Sequence, residues 1–386
     1  MDEKMEEKIA HIKPRLKTGT IIYSHQDRTY VGTLRAGIEV NSPIRAVLES
    51  MNGNQNCAEI STSLGYPLLE IEELVRTLDV AHLIDTEVGK ISFLSRFHSR
   101  NANRSTHAGD DSQDGAFQQL RIKMAPELSF TTWLTGVRDG GVGRISDRRK
   151  VEINIYGSSR IALLLFGILL SSGISQTHLH IKAGRAIGED DICAGYLRSS
   201  DIGLSLASRT KELARDLALF PDGLAKKGAG TPLPQSSERS ANSQIAIVIG
   251  SAPADLLQKW MSEGTPHLLI EAPDAASVTI GPLVIPGRTP CARCISLARA
   301  DQGELWNDLA WQKSIASPLE VPVSVAHHIA GLIALELLSY VDSQKCSLPG
   351  VRLRFNYHTP TQSERTFYAR HPACGCSWSD ESAANF

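Results

Sequence analysis

Four of the seven cysteines fall into two close pairs, Cys291-Ala-Arg-Cys294 and Cys374-Gly-Cys376, 80 residues apart. A tetrahedral zinc ion takes four thiolates at about 2.3 Å, and two pairs on tight turns supply them readily. Pro290 before the first pair and Gly375 inside the second suit such turns. A redox CxxC would open a helix in a thioredoxin-like βαβ pattern and would leave the second pair without a role. The spacing favours a structural zinc on Cys291, Cys294, Cys374 and Cys376, with no coordination position left open for catalysis. Cys57, Cys193 and Cys346 stand alone and read as small buried hydrophobes.

The second candidate is the turn Gly157-Ser158-Ser159, between an alternating strand at 151–156 and an apolar helix at 160–172. A dinucleotide or ATP fingerprint needs GxGxxG, with glycines for the turn, for close approach to phosphate and for helix packing. Here Gly157 is present, Ser159 stands at the second glycine and Ala162 at the third. The strand at 177–182 ends in Lys182-Ala183-Gly184, with no acid for ribose hydroxyls. Gly157, Ser159 and Arg160 thus read as a degenerate nucleotide turn, which argues against ATP. The histidines His178, His180, His327, His328 and His371 come with no HExxH or carboxylate spacing and read as structural. Asp301 and Glu304, before Trp306, read as solvated surface.

These residues must be held by elements that the hydrophobic pattern predicts. In the first segment, 21–40 reads as one or two short strands. Helices are expected at 44–51, 57–64 and 67–83, the last with Leu68, Ile71, Leu74, Val75 and Leu78 on one stripe. A closing hairpin is expected at 84–94. Residues 9–94 therefore read as a winged-helix module. The stretch 95–117 is polar and mixed in charge, and reads as a linker. From 118 to 386 the pattern is α/β: strands at 245–249 and 268–270, a helix at 254–263, a long apolar helix at 325–341 and late, antiparallel strands at 351–357 and 365–369. A Rossmann-type, doubly wound parallel sheet follows from that alternation.

At 386 residues, 42% of them hydrophobic and 21% charged, the chain has material for packed cores and is neither disordered nor fibrous. A net charge of -2 gives no global attraction to nucleic acid. With a charged N-terminus and no 18-residue apolar run, a cytoplasmic protein is the expectation.

Residues 280–312, IGPLVIPGRTPCARCISLARADQGELWNDLAWQ, resemble the GPLV-PG-TPCxxC stretch of the ThiF-like proteins that accompany YcaO cyclodehydratases. Those systems make azol(in)e-containing ribosomal peptides of the microcin kind. The resemblance continues in Pro372-Ala-Cys374-Gly-Cys376, Asp139-Gly140-Gly141, Gly157-Ser-Ser-Arg160 and Ser200-Asp201-Ile202-Gly203. Lys13-Pro14-Arg15-Leu16 and the winged-helix pattern look like that family's leader-peptide recognition element. The resemblance implies a ThiF/MoeB-like fold with a structural tetracysteine zinc. It implies binding of a precursor peptide's leader and its presentation to a YcaO-type ATP-dependent cyclodehydratase, which closes Cys, Ser or Thr side chains into azolines.

Within that reading the leader docks on the 21–40 strands and the 67–83 helix, with Tyr30, Leu34, Arg35, Leu74 and Leu78 as candidate contacts. An acidic leader would be drawn by Lys13, Arg15, Lys17, Arg28 and Arg35. The chain is then a non-catalytic component, and its enzyme status stays open. The alternative is an ATP-dependent adenylating enzyme acting on a peptide, with Arg160, Arg185, Arg198 and Lys211 clamping phosphate. A transcription factor is disfavoured, because the candidate recognition helix carries Glu70, Glu72, Glu73 and Asp79 against Arg76. A homodimer through the 325–341 helix is a further candidate.

Overall fold

The computed structural model describes residues 9–40, 44–87, 111–194, 196–220, 244–251, 253–303, 305, 309, 312 and 320–376. The chain divides into two compact units, Met1–Ser146 and Asp147–Phe386.

The N-terminal unit begins with β1 (Arg15–Leu16) and an antiparallel meander of β2 (Ile21–His25), β3 (Arg28–Gly32) and β4 (Gly37–Val40). There are three strands where the sequence suggests one or two, because the first reversal uses Gln26-Asp27. Gln26 takes the left-handed conformation, φ +52°, without a glycine to announce it. Helices α1 (Arg45–Ser50), α2 (Cys57–Leu64) and α3 (Leu68–Val80) follow. Asn56 and Glu59 form a reciprocal capping box at the start of α2 and Gly65, φ +66°, ends it. Helix α3 turns Ile71, Leu74, Val75 and Leu78 onto a core with Val31, Leu48, Ile60 and Leu83. Each such side chain contributes about 2 kcal/mol by leaving water.

The expected hairpin at 84–94 is replaced in its described part by β5 (Ile84–Asp85), which pairs antiparallel with β1. Residues 88–94, and the expected linker up to 110, lie outside the described residues. From Asp111 the chain is helical, α4 (Asp111–Thr131), followed by α5 (Val142–Arg148).

A buried polar network joins β1 and β5 to the stretch after α4. Lys17 Nζ donates to the carbonyls of Thr132 (2.6 Å) and Val137 (3.1 Å). Asp85 accepts from Thr132 Oγ1 (3.0 Å) and from Arg15 Nη2 (3.0 Å). Trp133 Nε1 donates to the Thr18 carbonyl. Asp139-Gly140-Gly141 closes this network: Gly140, at φ +76°, lies where a Cβ would collide with the Arg15 guanidinium. Burial lowers the Lys17 pKa, against the opposing pull of Asp85. Lys17, buried and held by two carbonyls, is therefore a structural cation of this unit, while Arg15 pairs with Asp85 and keeps a third of its side chain exposed. We expect Asp85→Ala to cost about 3 kcal/mol, since it strands a buried hydroxyl and removes the carboxylate from two cations. Urea denaturation followed by tryptophan fluorescence would show it; an unchanged midpoint would mean the network contributes nothing.

In the C-terminal unit, β6 (Glu152–Tyr156), β7 (Gln176–His180), β8 (Gln244–Ile249), β9 (His267–Ile270), β10 (Ser277–Val284), β11 (Val351–Asn356) and β12 (Ser363–Phe367) form one seven-stranded sheet. Its order is β12-β11-β10-β9-β8-β6-β7. Strands β7, β6, β8 and β9 run parallel, while β10, β11 and β12 pair antiparallel. The sheet is mixed: β7, β6, β8 and β9 form the expected parallel part, β11 and β12 are the expected antiparallel late strands, and β10, which the sequence pattern does not mark, joins the two parts. The six-residue links 271–276 and 357–362 are too short for a crossover helix, so the strands they join reverse.

Helices α6 (Arg160–Ser171), α7 (Leu206–Leu217) and α10 (Val323–Ser343) pack with Ile153, Ile155, Ile245 and Ile247 on one face. On the other, Trp260 of α8 (Ala254–Glu263) meets Ala246 and Val248. Helix α10 is long and apolar enough to cross a membrane by length and composition, yet Val325, Ile329, Ile333 and Leu337 lie in the core. Beneath it Arg148 makes a double hydrogen bond to Asp342, at 2.9 and 2.6 Å, and donates to the Ser172 carbonyl.

Candidate metal centre and degenerate nucleotide turn

The cysteine pairs arrive from distant parts of the unit. Helix α9 (Ala292–Ala300) starts at Cys291, its N-cap, and carries Cys294 one turn in. A 3-10 turn, Pro372–Cys374, ends at Gly375, φ +73°, and presents Cys374 and Cys376. The Sγ atoms of Cys291 and Cys374 are 3.4 Å apart, those of Cys294 and Cys376 3.4 Å, and those of Cys291 and Cys294 3.8 Å. All four sulfurs lie within 4.8 Å of one another. Thiolates at about 2.3 Å from one tetrahedral ion stand about 3.8 Å apart, so the donor set fits a metal ion.

The acidities point the same way. Burial disfavours the Cys294 thiolate, but backbone hydrogen bonds at His371 and Cys291 and the neighbouring thiols outweigh it, bringing its pKa to about 7. Burial, and then Cys294, push Cys376 up to about 11; burial and the neighbouring cysteines push Cys374 higher still. Cys374 and Cys376 thus resist ionisation, which a cation bound among the sulfurs would favour. Cys57, fully buried, is pushed up to about 11 by burial and is a core residue.

At the turn after β6, Gly157 adopts φ +144°, and a Cβ there would lie 3.1 Å from the Ile249 carbonyl oxygen and 3.2 Å from Ile249 Cβ. This glycine is therefore required by the approach of β6 to β8, independent of any ligand. Ser159 caps α6, its hydroxyl accepting the Ala162 N–H at 3.4 Å. Helix N-termini attract anions, and here the chain supplies its own: Glu320 accepts the Arg160 backbone N–H at 3.3 Å. The Arg160 guanidinium donates to the carbonyls of Asp190 (2.6 Å) and Val321 (2.9 Å). Arg185 donates to the Ser158 carbonyl and pairs with Asp191 at 2.7 Å. Burial raises the Glu320 pKa, with Arg160 opposing.

No family model matches the sequence, and no curated protein matches it. Solved structures do match it. The fold is MccB-like. E. coli MccB with selenomethionine MccA superposes with a TM-score of 0.59 at 14% identity, covering 94% of this chain and 99% of that one. E. coli MccB with ATP gives 0.57 at 15% identity, again over 94% and 99%. The heterocyclase TruD gives 0.54 at 12% identity, over 94% of this chain and 42% of TruD. MccB is described as the microcin C7 biosynthetic enzyme. At these identities the likeness is one of fold.

Within this MccB-like fold the candidate peptide contacts fall into two groups. Leu78 is fully buried and Leu74 is 8% exposed, both in the core of the N-terminal unit. Leu34 is 93% exposed and Arg35 is also exposed, at the β3–β4 hairpin. Tyr30 is half-buried and its hydroxyl donates to the Thr33 carbonyl in the same hairpin. Arg28 faces Glu39 at 3.8 Å. The structure thus brings Tyr30, Leu34 and Arg35 together and sets Leu74 and Leu78 apart from them. Sequence reading missed Glu320, which no motif marks because its partner lies 160 residues away.

Proposed function

We propose that the chain binds the leader of a ribosomally made precursor peptide and presents it to a YcaO-type ATP-dependent cyclodehydratase for azoline formation. Residues 9–94, read as a winged-helix recognition module, capture the leader with the stretch 131–140 that packs against them. Residues 118–386 form the ThiF-like portion, and a zinc ion on Cys291, Cys294, Cys374 and Cys376 staples α9 to the Pro372–Cys374 turn without catalysing. The β2–β4 meander offers an edge for strand addition, with Tyr30, Leu34 and Arg35 beside it. The leader peptide, the cyclodehydratase and a second copy of the chain are the partners this reading calls for. Its setting is the cytoplasm.

The observation that carries the non-catalytic part is the turn at Gly157. Its helix N-terminus is taken by Glu320, and both nearby arginines are spent on the chain's own carbonyls and on Asp191. A triphosphate would have to displace all of these contacts. The fold itself supports peptide handling, since its neighbours include MccB structures with MccA and the heterocyclase TruD.

Two measurements test this. Tagged full-length chain, recovered gently from its native cells and read by mass spectrometry, should bring down a short gene-encoded peptide rich in Cys, Ser or Thr and a YcaO-type protein. Calorimetric titration with MgATP should give no heat of binding at millimolar nucleotide. ATP binding together with peptide-dependent ATP–pyrophosphate exchange would replace this reading with the adenylating-enzyme one.

A further inference from the structure

His371 lies beside the cysteine cluster and makes two directed contacts. Its Nδ1 accepts the Ala373 N–H at 3.1 Å, closing the turn that presents Cys374 and Cys376. A ring nitrogen that accepts carries no proton, so the proton of this imidazole is on Nε2. Nε2 stands 2.8 Å from an Asp301 carboxylate oxygen and donates to it. Asp301 is the residue directly after α9, the helix whose first turn bears Cys291 and Cys294. One imidazole therefore links the residue that caps the end of the CxxC helix to the turn that holds the CxC pair. The ring side chain is 17% exposed and the carboxylate 69%, so the contact sits at the rim of the site with its histidine half shielded.

We propose that Asp301 and His371 form a positioning clasp that holds the two cysteine turns in register and slows loss of the metal ion. The inference rests on the zinc reading above. Neither residue is a ligand. The clasp acts by limiting how far the Pro372–Cys374 turn swings from α9 while one thiolate is detached, which favours rebinding over escape. Outer-shell partners of metal ligands commonly change metal affinity about 10- to 100-fold. This clasp steers a backbone turn and not a ligand ring, so the low end applies.

The experiment is zinc transfer from the full-length chain to an excess of a chromophoric chelator, followed by absorbance. Wild type should start with one zinc per chain. Asp301→Ala should release it about tenfold faster, and His371→Ala at least as fast. Asp301→Asn keeps an acceptor oxygen and should fall between Asp301→Ala and wild type. The double variant should release zinc no faster than His371→Ala alone, because both residues act through one contact. Melting temperature measured in excess zinc should stay near wild type for Asp301→Ala, which separates metal retention from general loosening. Wild-type release rates in Asp301→Ala, or fully additive effects in the double variant, would overturn the clasp while leaving the zinc reading intact. A wild-type chain that neither carries nor takes up zinc would overturn both, and the starting stoichiometry tells the two failures apart.

Discussion

Cys291→Ser is expected to empty the metal centre and to lower the unfolding temperature of the C-terminal unit by about 10–20 °C. Serine cannot supply the thiolate, and three remaining cysteines close a far weaker site. Because metal binding and folding are one free energy in such a centre, losing even about 5 kcal/mol of it appears directly as lost stability. At about 2–4 °C per kcal/mol for a unit of this size, the shift should be plain in scanning calorimetry. Elemental analysis should read one zinc per wild-type chain and much less in the variant. Cys374→Ser should behave alike, since Cys374 Sγ is the neighbour of Cys291 Sγ at 3.4 Å. Full zinc content with an unshifted transition in either variant would remove that cysteine from the ligand set.

The second large effect concerns Arg148 and Asp342, each with a side chain 4% exposed. Asp342→Ala should cost about 3–5 kcal/mol, because it takes the carboxylate away from a buried guanidinium that also donates to the Ser172 carbonyl. That corresponds to roughly 6–20 °C in the same calorimetric transition. Replacing both partners, as Arg148→Met with Asp342→Leu, should recover most of the loss, since two apolar side chains need no compensation. A double variant as unstable as Asp342→Ala would show instead that the pair sets the docking of α10 in a way that packing cannot replace.

Much of this was legible in the residues. The stripe Ile71, Leu74, Val75, Leu78 marks α3, and the run of apolar residues after Arg160 marks α6, because a 3.6-residue period or an unbroken apolar stretch is a local property. The cysteine pairs are legible for the same reason: each pair lies within one turn. The stripe also misleads: it suggests Leu74 and Leu78 as peptide contacts, and both fill the core of the unit. A helix's apolar face signals burial before it signals a ligand.

What escaped the sequence depends on partners far along the chain. Helix α4 begins in residues whose composition is that of a linker and contains Pro126, so no pattern announced it. Strand β10, Ser277–Val284, is interrupted by Gly281-Pro282, where its register with β9 shifts, so neither alternation nor an unbroken apolar run announced it. Lys17 looked like surface charge because nothing near it in sequence satisfies an ammonium. Its acceptors lie 115 and 120 residues downstream.

That separation sets a timetable for synthesis. A chain lengthens at about 5–20 residues per second, so about 6–24 s pass between the making of Lys17 and of Val137. Through that interval the meander and its three helices can collapse, yet the ammonium between them has no carbonyl to receive it and must stay with water. The N-terminal unit is therefore born open at one side, and it shuts only when a strap more than a hundred residues behind it has left the ribosome.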